Sequence, residues 1–179
     1  RPSLLLVDDD ATFCTVLAEA FEKRGYAVRV AHDVPSGLAA AAQDPPEYAV
    51  IDLKMPGPSG LELVQKLKQL DENTRIVMLT VSEDEQDLAA ALRAGASGYL
   101  LKTSEGDALV HAIAQVMRGD AVIAPEMTGK LVTAYRDASS PTGGREPGVA
   151  AATPASTPLA RLSPRETEIL RSIARGASN

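Results

Sequence analysis

Four short apolar runs in this sequence each end on a side chain that could bind a metal ion or a phosphoryl group. The side chains are those of Asp8 and Asp9, Asp52, Thr80 and Lys102. Carboxylate oxygens ligate divalent cations, and oxygen-only ligation with retained water favours Mg²⁺. An ammonium and a hydroxyl group can offset the charge of phosphate oxygens. These residue types therefore indicate a site that combines a divalent cation with a phosphoryl group.

Those side chains can act together only if the runs that precede them lie side by side. Near-continuous apolar runs are typical of buried parallel strands, and the ligand sites of open α/β sheets lie beyond the carboxyl ends of the strands. Apolar residues recur at helical spacing between the runs. The resulting five βα units predict a doubly wound, five-stranded parallel sheet with right-handed crossovers over residues 1–120.

Five helices are expected between and after these strands, with capping and turn residues at their ends. Each should pack an apolar face against the sheet. The expected ranges are Asp10 or Thr12 to Gly25, Ser36 to Gln43, Leu61 to Leu70, Asp84 to Ala94 and Glu105 to Arg118.

The composition restricts the classes of protein to which the chain can belong. Its 179 residues exceed one average domain, which predicts one full domain with an appendage. Apolar residues make up 45% and aromatic residues 3%, so the core should be built from aliphatic side chains. The single cysteine, Cys14, excludes an internal disulfide, and no stretch resembles a signal peptide or a membrane span. We therefore expect a cytoplasmic protein that does not engage a membrane.

Charge is distributed unevenly along the chain. Residues 1–120 carry 19 acidic and 11 basic side chains, whereas residues 161–179 carry four arginines and two glutamates. An acidic domain cannot grip nucleic acid by neutralising phosphates, but a basic carboxyl-terminal segment could contribute to such a contact. The amino-terminal domain is thus not expected to bind DNA.

Three segments follow the predicted α/β domain. Residues 121–135 should form a linker helix, because apolar residues recur at helical spacing from Pro125 to Tyr135. Residues 136–160 are rich in Ala, Ser, Thr, Pro and Gly, which predicts a flexible linker. In residues 161–179, a serine followed by proline and, after a further residue, by glutamate is typical of the start of another helix.

Residues 3 to about 120 resemble the receiver domain of bacterial two-component response regulators, a CheY-like, flavodoxin-like fold. The stretches Gly95–Thr103 and Leu162–Leu170 are similar to the NarL/FixJ subgroup, in which a receiver is joined to a LuxR-type helix-turn-helix. The resemblance implies that Asp8 and Asp9 are the acidic metal pair, Asp52 the phosphoacceptor, Thr80 the switch hydroxyl, Tyr99 the switch aromatic and Lys102 the phosphate partner.

The resemblance also implies a cofactor and a phosphoryl donor. Mg²⁺ would be bound directly by Asp9 and Asp52, through water by Asp8, and by the backbone carbonyl of Lys54. A cognate sensor histidine kinase would supply the phosphoryl group. Val81 follows the switch hydroxyl at a position that is often Ala or Gly in the family, so we expect it to narrow the approach to the phosphoacceptor.

The function that follows from the resemblance is regulation of transcription, not turnover of a substrate. The protein would catalyse only its own phosphoryl transfer and slow autodephosphorylation. Phosphorylation would promote a homodimer that binds DNA through a complete output domain. Residues 161–179 would supply only the first helix of an incomplete helix-turn-helix, so the 179 residues alone should not recognise an operator.

Two other functions are compatible with the same site chemistry. The first is a stand-alone phospho-relay or protein-interaction receiver without DNA binding. The second is a Mg²⁺-dependent phosphohydrolase with an aspartyl intermediate. That class usually places a second Asp two residues after the nucleophile, and Lys54 at this position argues against it.

Overall fold

The computed structural model describes residues 1–139, in which six strands alternate with six helices. The elements are β1 Ser3–Val7, α1 Ala11–Glu22, β2 Ala27–Ala31, α2 Val34–Gln43, β3 Tyr48–Asp52, α3 Gly60–Leu70, β4 Arg75–Thr80, α4 Glu85–Ala94, β5 Gly98–Leu101, α5 Gly106–Met117, β6 Val122–Ile123 and α6 Pro125–Ser139. The expected alternation of strand and helix is confirmed.

The strands form one parallel sheet in the order β2-β1-β3-β4-β5-β6. The five predicted strands are present, and the sixth pairs Val122 and Ile123 with Gly98 and Tyr99 of β5. The prediction of five strands missed this edge strand because two residues are too few to display a periodicity. Gly98 leaves room for the pairing, since a Cβ there would lie 3.2 Å from the carbonyl oxygen of Val122.

Helices cover both faces of the sheet, as the prediction of a doubly wound fold requires. Side chains alternate between the two faces along each strand. Leu5 and Val7 of β1 belong to the core that α2, α3, α4 and α6 cover, and Leu4 and Leu6 belong to the core beneath α1 and α5. Every strand that leads to a candidate site residue is therefore held from both sides.

Aspartates fix the starts of three helices. Asp10 accepts a hydrogen bond from the backbone of Phe13 at the start of α1, and Asp84 does the same for Gln86 at the start of α4. Asp33 caps α2, which begins at Val34, two residues before the predicted start. The difference arises because the cap and a proline in the first turn begin this helix ahead of its first regularly spaced apolar residues.

The carboxyl-terminal helix of the described chain is longer than the sequence predicts. α6 ends at Ser139, so residues 136–139, assigned above to the flexible linker, are helical. The rest of that predicted linker and the predicted helix in residues 161–179 lie outside the described residues. No helix within residues 1–139 has both the length and the apolar character needed to cross a bilayer.

Candidate functional site

Three carboxylates meet at the carboxyl edge of the sheet. Asp8 and Asp9 follow β1, and Asp52 ends β3, which pairs directly with β1. Each of the three offers an oxygen, and these oxygens lie within 4.8 Å of one another. Asp8 and Asp52 are buried, whereas Asp9 is exposed, so the cluster can be reached from solvent on one side.

Lys102 supplies the positive charge that this cluster contacts. Its Nζ lies 2.5 Å from Asp8 Oδ2 and 3.2 Å from Asp52 Oδ2. Burial alone would lower the pKa of Lys102, but the two carboxylates outweigh burial and raise the pKa above its usual value. The ammonium also lies 5.0 Å from the centre of the Phe13 ring on α1, within range of a cation–π contact. Lys102 is therefore held in its charged form between two acids.

The site has an excess of negative charge. Burial, and then the neighbouring Asp8 carboxylate, raise the pKa of Asp52 to about 6, although Lys102 acts in the opposite direction. Asp8 Oδ2 is buried and, despite its short ion contact with Lys102, accepts no hydrogen bond of good geometry from the described residues. One ammonium thus faces three carboxylates, and this oxygen-only donor set fits a hard divalent cation.

This charge excess predicts how stability depends on pH without a metal. A carboxyl group whose pKa is higher in the folded than in the unfolded protein favours folding at low pH, and that contribution is lost as pH rises from about 4 to about 6. Asp52→Asn should therefore be more stable than the wild type at pH 7.5 in EDTA, by about 1 to 3 kcal/mol. Urea unfolding at pH 4 and at pH 7.5 checks this. An equal difference between the two proteins at both pH values would contradict it.

Thr80 and Tyr99 contact one loop, residues 81–84, here called the switch loop. Thr80 is completely buried, and its Oγ1 accepts a hydrogen bond from Ser82 N at 3.0 Å. The Tyr99 hydroxyl donates to the Ser82 carbonyl oxygen at 3.1 Å, and the whole tyrosine is buried. Burial, and then Asp87, raise the pKa of Tyr99 to about 12, so the hydroxyl remains a donor. The predicted switch residues therefore lie on adjacent strands and share Ser82.

Comparison with known proteins identifies this arrangement. Residues 4–114 match the family model of the response regulator receiver domain. The chain belongs to this family. The receiver is 39% identical over 124 residues to the acid tolerance regulatory protein ActR of Rhizobium meliloti (strain 1021), an alignment that covers 69% of this chain and 63% of ActR. The chain thus spans less than two thirds of the length of that relative.

Two further relatives extend the comparison beyond the receiver. The nitrate/nitrite response regulator NarL of Escherichia coli (strain K12) is 32% identical over 179 residues, which covers 99% of this chain and 77% of NarL. A Burkholderia pseudomallei response regulator, solved with a phosphorylated aspartic acid, a calcium ion and citrate, is 30% identical with a TM-score of 0.62. That alignment covers 79% of this chain and 76% of the other. The predicted similarity to the NarL type is confirmed.

Sequence reasoning missed residues that hold the receiver site in shape. Asp87 of α4 accepts a hydrogen bond from Ser82 Oγ at 2.5 Å and pairs with Lys54 Nζ at 3.3 Å. His32 Nδ1 and Cys14 Sγ lie 2.9 Å and 3.3 Å from the Asp8 carbonyl oxygen. A bias toward polar residues near strand ends was the only signal available, and Lys54 and His32 are also far along the chain from their partners.

Gly60 is the other missed residue, and it lies directly against the backbone of Asp52. A Cβ at this position would be 2.1 Å from the Asp52 carbonyl oxygen and 3.0 Å from its carbonyl carbon. The Gly60 N–H donates to the Leu53 carbonyl oxygen at 3.1 Å. The first residue of α3 therefore packs against the end of β3 with no space for a side chain.

Cys14 is a buried packing residue of α1. The thiol is buried beneath α1 and donates to the Asp8 carbonyl oxygen. Burial, and then the nearby Asp8 carboxylate, raise the pKa of Cys14 to about 11. The thiol is thus kept neutral beside the acidic cluster.

Proposed function

We propose that this chain is the receiver part of a phosphorylation-activated response regulator, in which Asp52 accepts a phosphoryl group from a sensor histidine kinase. The observation that carries the proposal is the convergence of Asp8, Asp9 and Asp52 at one sheet edge with Lys102 in direct contact. Membership of the receiver family supports the same function.

Mg²⁺ is the proposed cofactor. Asp9 and Asp52 would ligate it directly, Asp8 through water, and the backbone carbonyl of Lys54 would complete the protein ligands. Bound there, the ion would shield the carboxylates and offset charge on the transferred group. The unbalanced negative charge of the cluster and the poorly satisfied Asp8 Oδ2 support this assignment.

Phosphoryl transfer requires a nucleophile that can be reached and donors that stabilise charge. A carboxylate oxygen of Asp52 would attack phosphorus in line as the P–N bond of the phosphohistidine breaks, and the bond electrons would leave with the imidazole. Lys102 and the Thr80 hydroxyl would offset charge on the phosphoryl oxygens. The product would be an aspartyl phosphate, and the similar Burkholderia protein was solved with a phosphorylated aspartic acid.

The proposed output is regulation of transcription through a DNA-binding domain. Similarity to NarL over almost the entire chain supports this assignment. Phosphorylation would favour a homodimer and raise DNA affinity. The buried single cysteine is in keeping with action in the reducing cytoplasm, where the protein would meet the kinase domain.

An electrophoretic mobility shift with the full-length protein tests the output, since a pure phospho-relay would form no phosphorylation-dependent DNA complex.

Mass spectrometry tests phosphorylation at Asp52. After incubation with Mg²⁺ and acetyl phosphate, the wild type should gain the mass of one phosphoryl group, and EDTA should prevent the gain. Asp52→Asn should not gain it. Asp107→Asn, which changes an exposed carboxylate on α5, is the matched control and should behave like the wild type. Phosphorylation of Asp52→Asn to the same extent would refute the proposed acceptor.

Val81 is proposed to prolong the life of the phosphorylated state. Its side chain follows Thr80 directly and is 66% exposed, so it is not part of the core. A branched side chain that extended over Asp52 would hinder the water molecule that attacks phosphorus. Val81→Ala should therefore lose its phosphoryl group several times faster than the wild type, as measured by mass spectrometry over time. Unchanged or slower decay would rule out this role.

A further inference from the structure

Helix α6 lies against the receiver on the side of α4. Two of its side chains, Met127 and Leu131, are buried in the same core as Leu88 of α4 and Tyr99 of β5. Ala124 is the single residue between β6 and α6, and its backbone N–H donates to the Tyr99 carbonyl oxygen at 2.8 Å. The first half of α6 is thus part of the folded receiver and adjoins the strand that carries the switch tyrosine.

A third side chain on the same part of α6 reaches the switch loop. Lys130 Nζ donates a 2.7 Å hydrogen bond to the carbonyl oxygen of Glu83, which lies 47 positions earlier in the chain. The neighbouring carbonyl, that of Ser82, accepts the hydroxyl of Tyr99. The loop that follows Thr80 is therefore held from inside the receiver by Tyr99 and from outside by α6.

We propose that Lys130 is a positioning residue for the switch loop, so that seating of α6 and the presence of a phosphoryl group on Asp52 stabilise each other. The inference rests on the proposed function, and it adds that a phosphoryl group on Asp52 favours the loop conformation in which Tyr99 is buried and donates to Ser82. That is the conformation in which Lys130 contacts Glu83. If the contact of α6 with the switch loop raises the affinity of the site for a phosphoryl group, then a bound phosphoryl group must stabilise that contact by the same factor. Coupling between two sites is reciprocal.

The loop provides a physical connection between the two sites. Thr80 Oγ1 accepts a hydrogen bond from Ser82 N, so a shift of the Thr80 hydroxyl toward a phosphoryl oxygen would break or displace this contact with the loop. The carbonyl oxygen of Glu83, the following residue of the loop, accepts the hydrogen bond from Lys130. A single hydrogen bond with a charged donor, made by a half-buried lysine, can change a coupled affinity by about two- to tenfold.

The test measures binding of beryllofluoride, a non-covalent phosphoryl analogue, in the presence of Mg²⁺. Titration calorimetry on Lys130→Met should show an affinity about two- to tenfold weaker than that of the wild type. Lys130→Arg keeps a donor and should recover most of the affinity. Lys66→Met, which changes an exposed lysine on α3, is the matched control and should bind like the wild type.

Hydrogen exchange supplies a readout that loss of a purely structural contact would not change. Adding beryllofluoride to the wild type should slow exchange of the amides of α6, and this protection should be lost in Lys130→Met. Equal affinity in Lys130→Met and the wild type, or no added protection of α6 in the wild type, would overturn the inference while leaving the proposed function intact. If the wild type itself binds no beryllofluoride, both the proposed function and the inference fail.

Discussion

Lys102→Met should destabilise the metal-free protein by about 3 to 5 kcal/mol, because it leaves a buried carboxylate without its counter-charge. Lys102 Nζ lies 2.5 Å from Asp8, whose side chain is 1% exposed, and 3.2 Å from Asp52. Without the ammonium, the protein can fold only by burying the unpaired carboxylates of Asp8 and Asp52 or by protonating them. Urea unfolding at pH 7.5 in EDTA, compared with the wild type, measures the loss.

A second variant separates this charge effect from loss of packing by the lysine side chain. Lys102→Met combined with Asp8→Asn removes both members of the pair, and it should recover most of the stability that Lys102→Met loses. Acid should also reduce the defect of the single variant, since protonation neutralises the unpaired carboxyl groups. A single variant as stable as the wild type at pH 7.5 would show that the ion pair contributes nothing to folding.

Gly60→Ala should cost about 3 kcal/mol or more and should also slow phosphorylation of Asp52. The added methyl group would lie 2.1 Å from the Asp52 carbonyl oxygen, far inside van der Waals contact, so either α3 or the end of β3 must shift. Both neighbouring atoms that it would meet first are backbone atoms, which cannot rotate away as a flexible side chain would. Chemical denaturation and the rate of phosphorylation by acetyl phosphate measure the two effects.

Gly106→Ala provides a matched control for this substitution. Gly106 is likewise the first residue of a helix, α5, but an added Cβ there has no atom within 4 Å. Replacing glycine by alanine at an unstrained helical position stabilises a protein slightly, by about 0.4 to 1 kcal/mol. A Gly60→Ala variant as stable as Gly106→Ala would contradict the close packing of α3 against the end of β3.

The sequence was sufficient to predict five of the six strands of the sheet and the residues at its carboxyl edge. The four strands that precede site residues, β1, β3, β4 and β5, are near-continuous apolar runs buried on both faces. Parallel strands bring their carboxyl ends together, so Asp8, Asp52, Thr80 and Lys102 had to converge once the fold was inferred. The roles of these residues in phosphoryl transfer stay predictions. The exposed acid of the cluster, Asp9, was placed at the same edge for the same reason.

Contacts between distant elements could not be read from local patterns. The clash that makes glycine necessary at position 60 depends on the path of the preceding loop, which the turn-rich sequence does not specify. The bond from Lys130 to Glu83 joins residues on different layers of the fold, and nothing in the composition of α6 distinguishes this lysine from a solvated one. Periodicity reports which face of an element is buried, but not which neighbour it meets.

The hydrogen bond between Cys14 and Asp8 gives the protein an internal reporter of local unfolding. With a pKa of about 11 in the folded protein, roughly one thiol in a thousand is ionised at pH 8, and the group is buried. An aromatic disulfide that releases a coloured thiolate can therefore react with the Cys14 thiol only when α1 separates from β1. Because the chain has no other cysteine, the labelling rate, compared with that of a free thiol, reports the opening of this junction without any substitution.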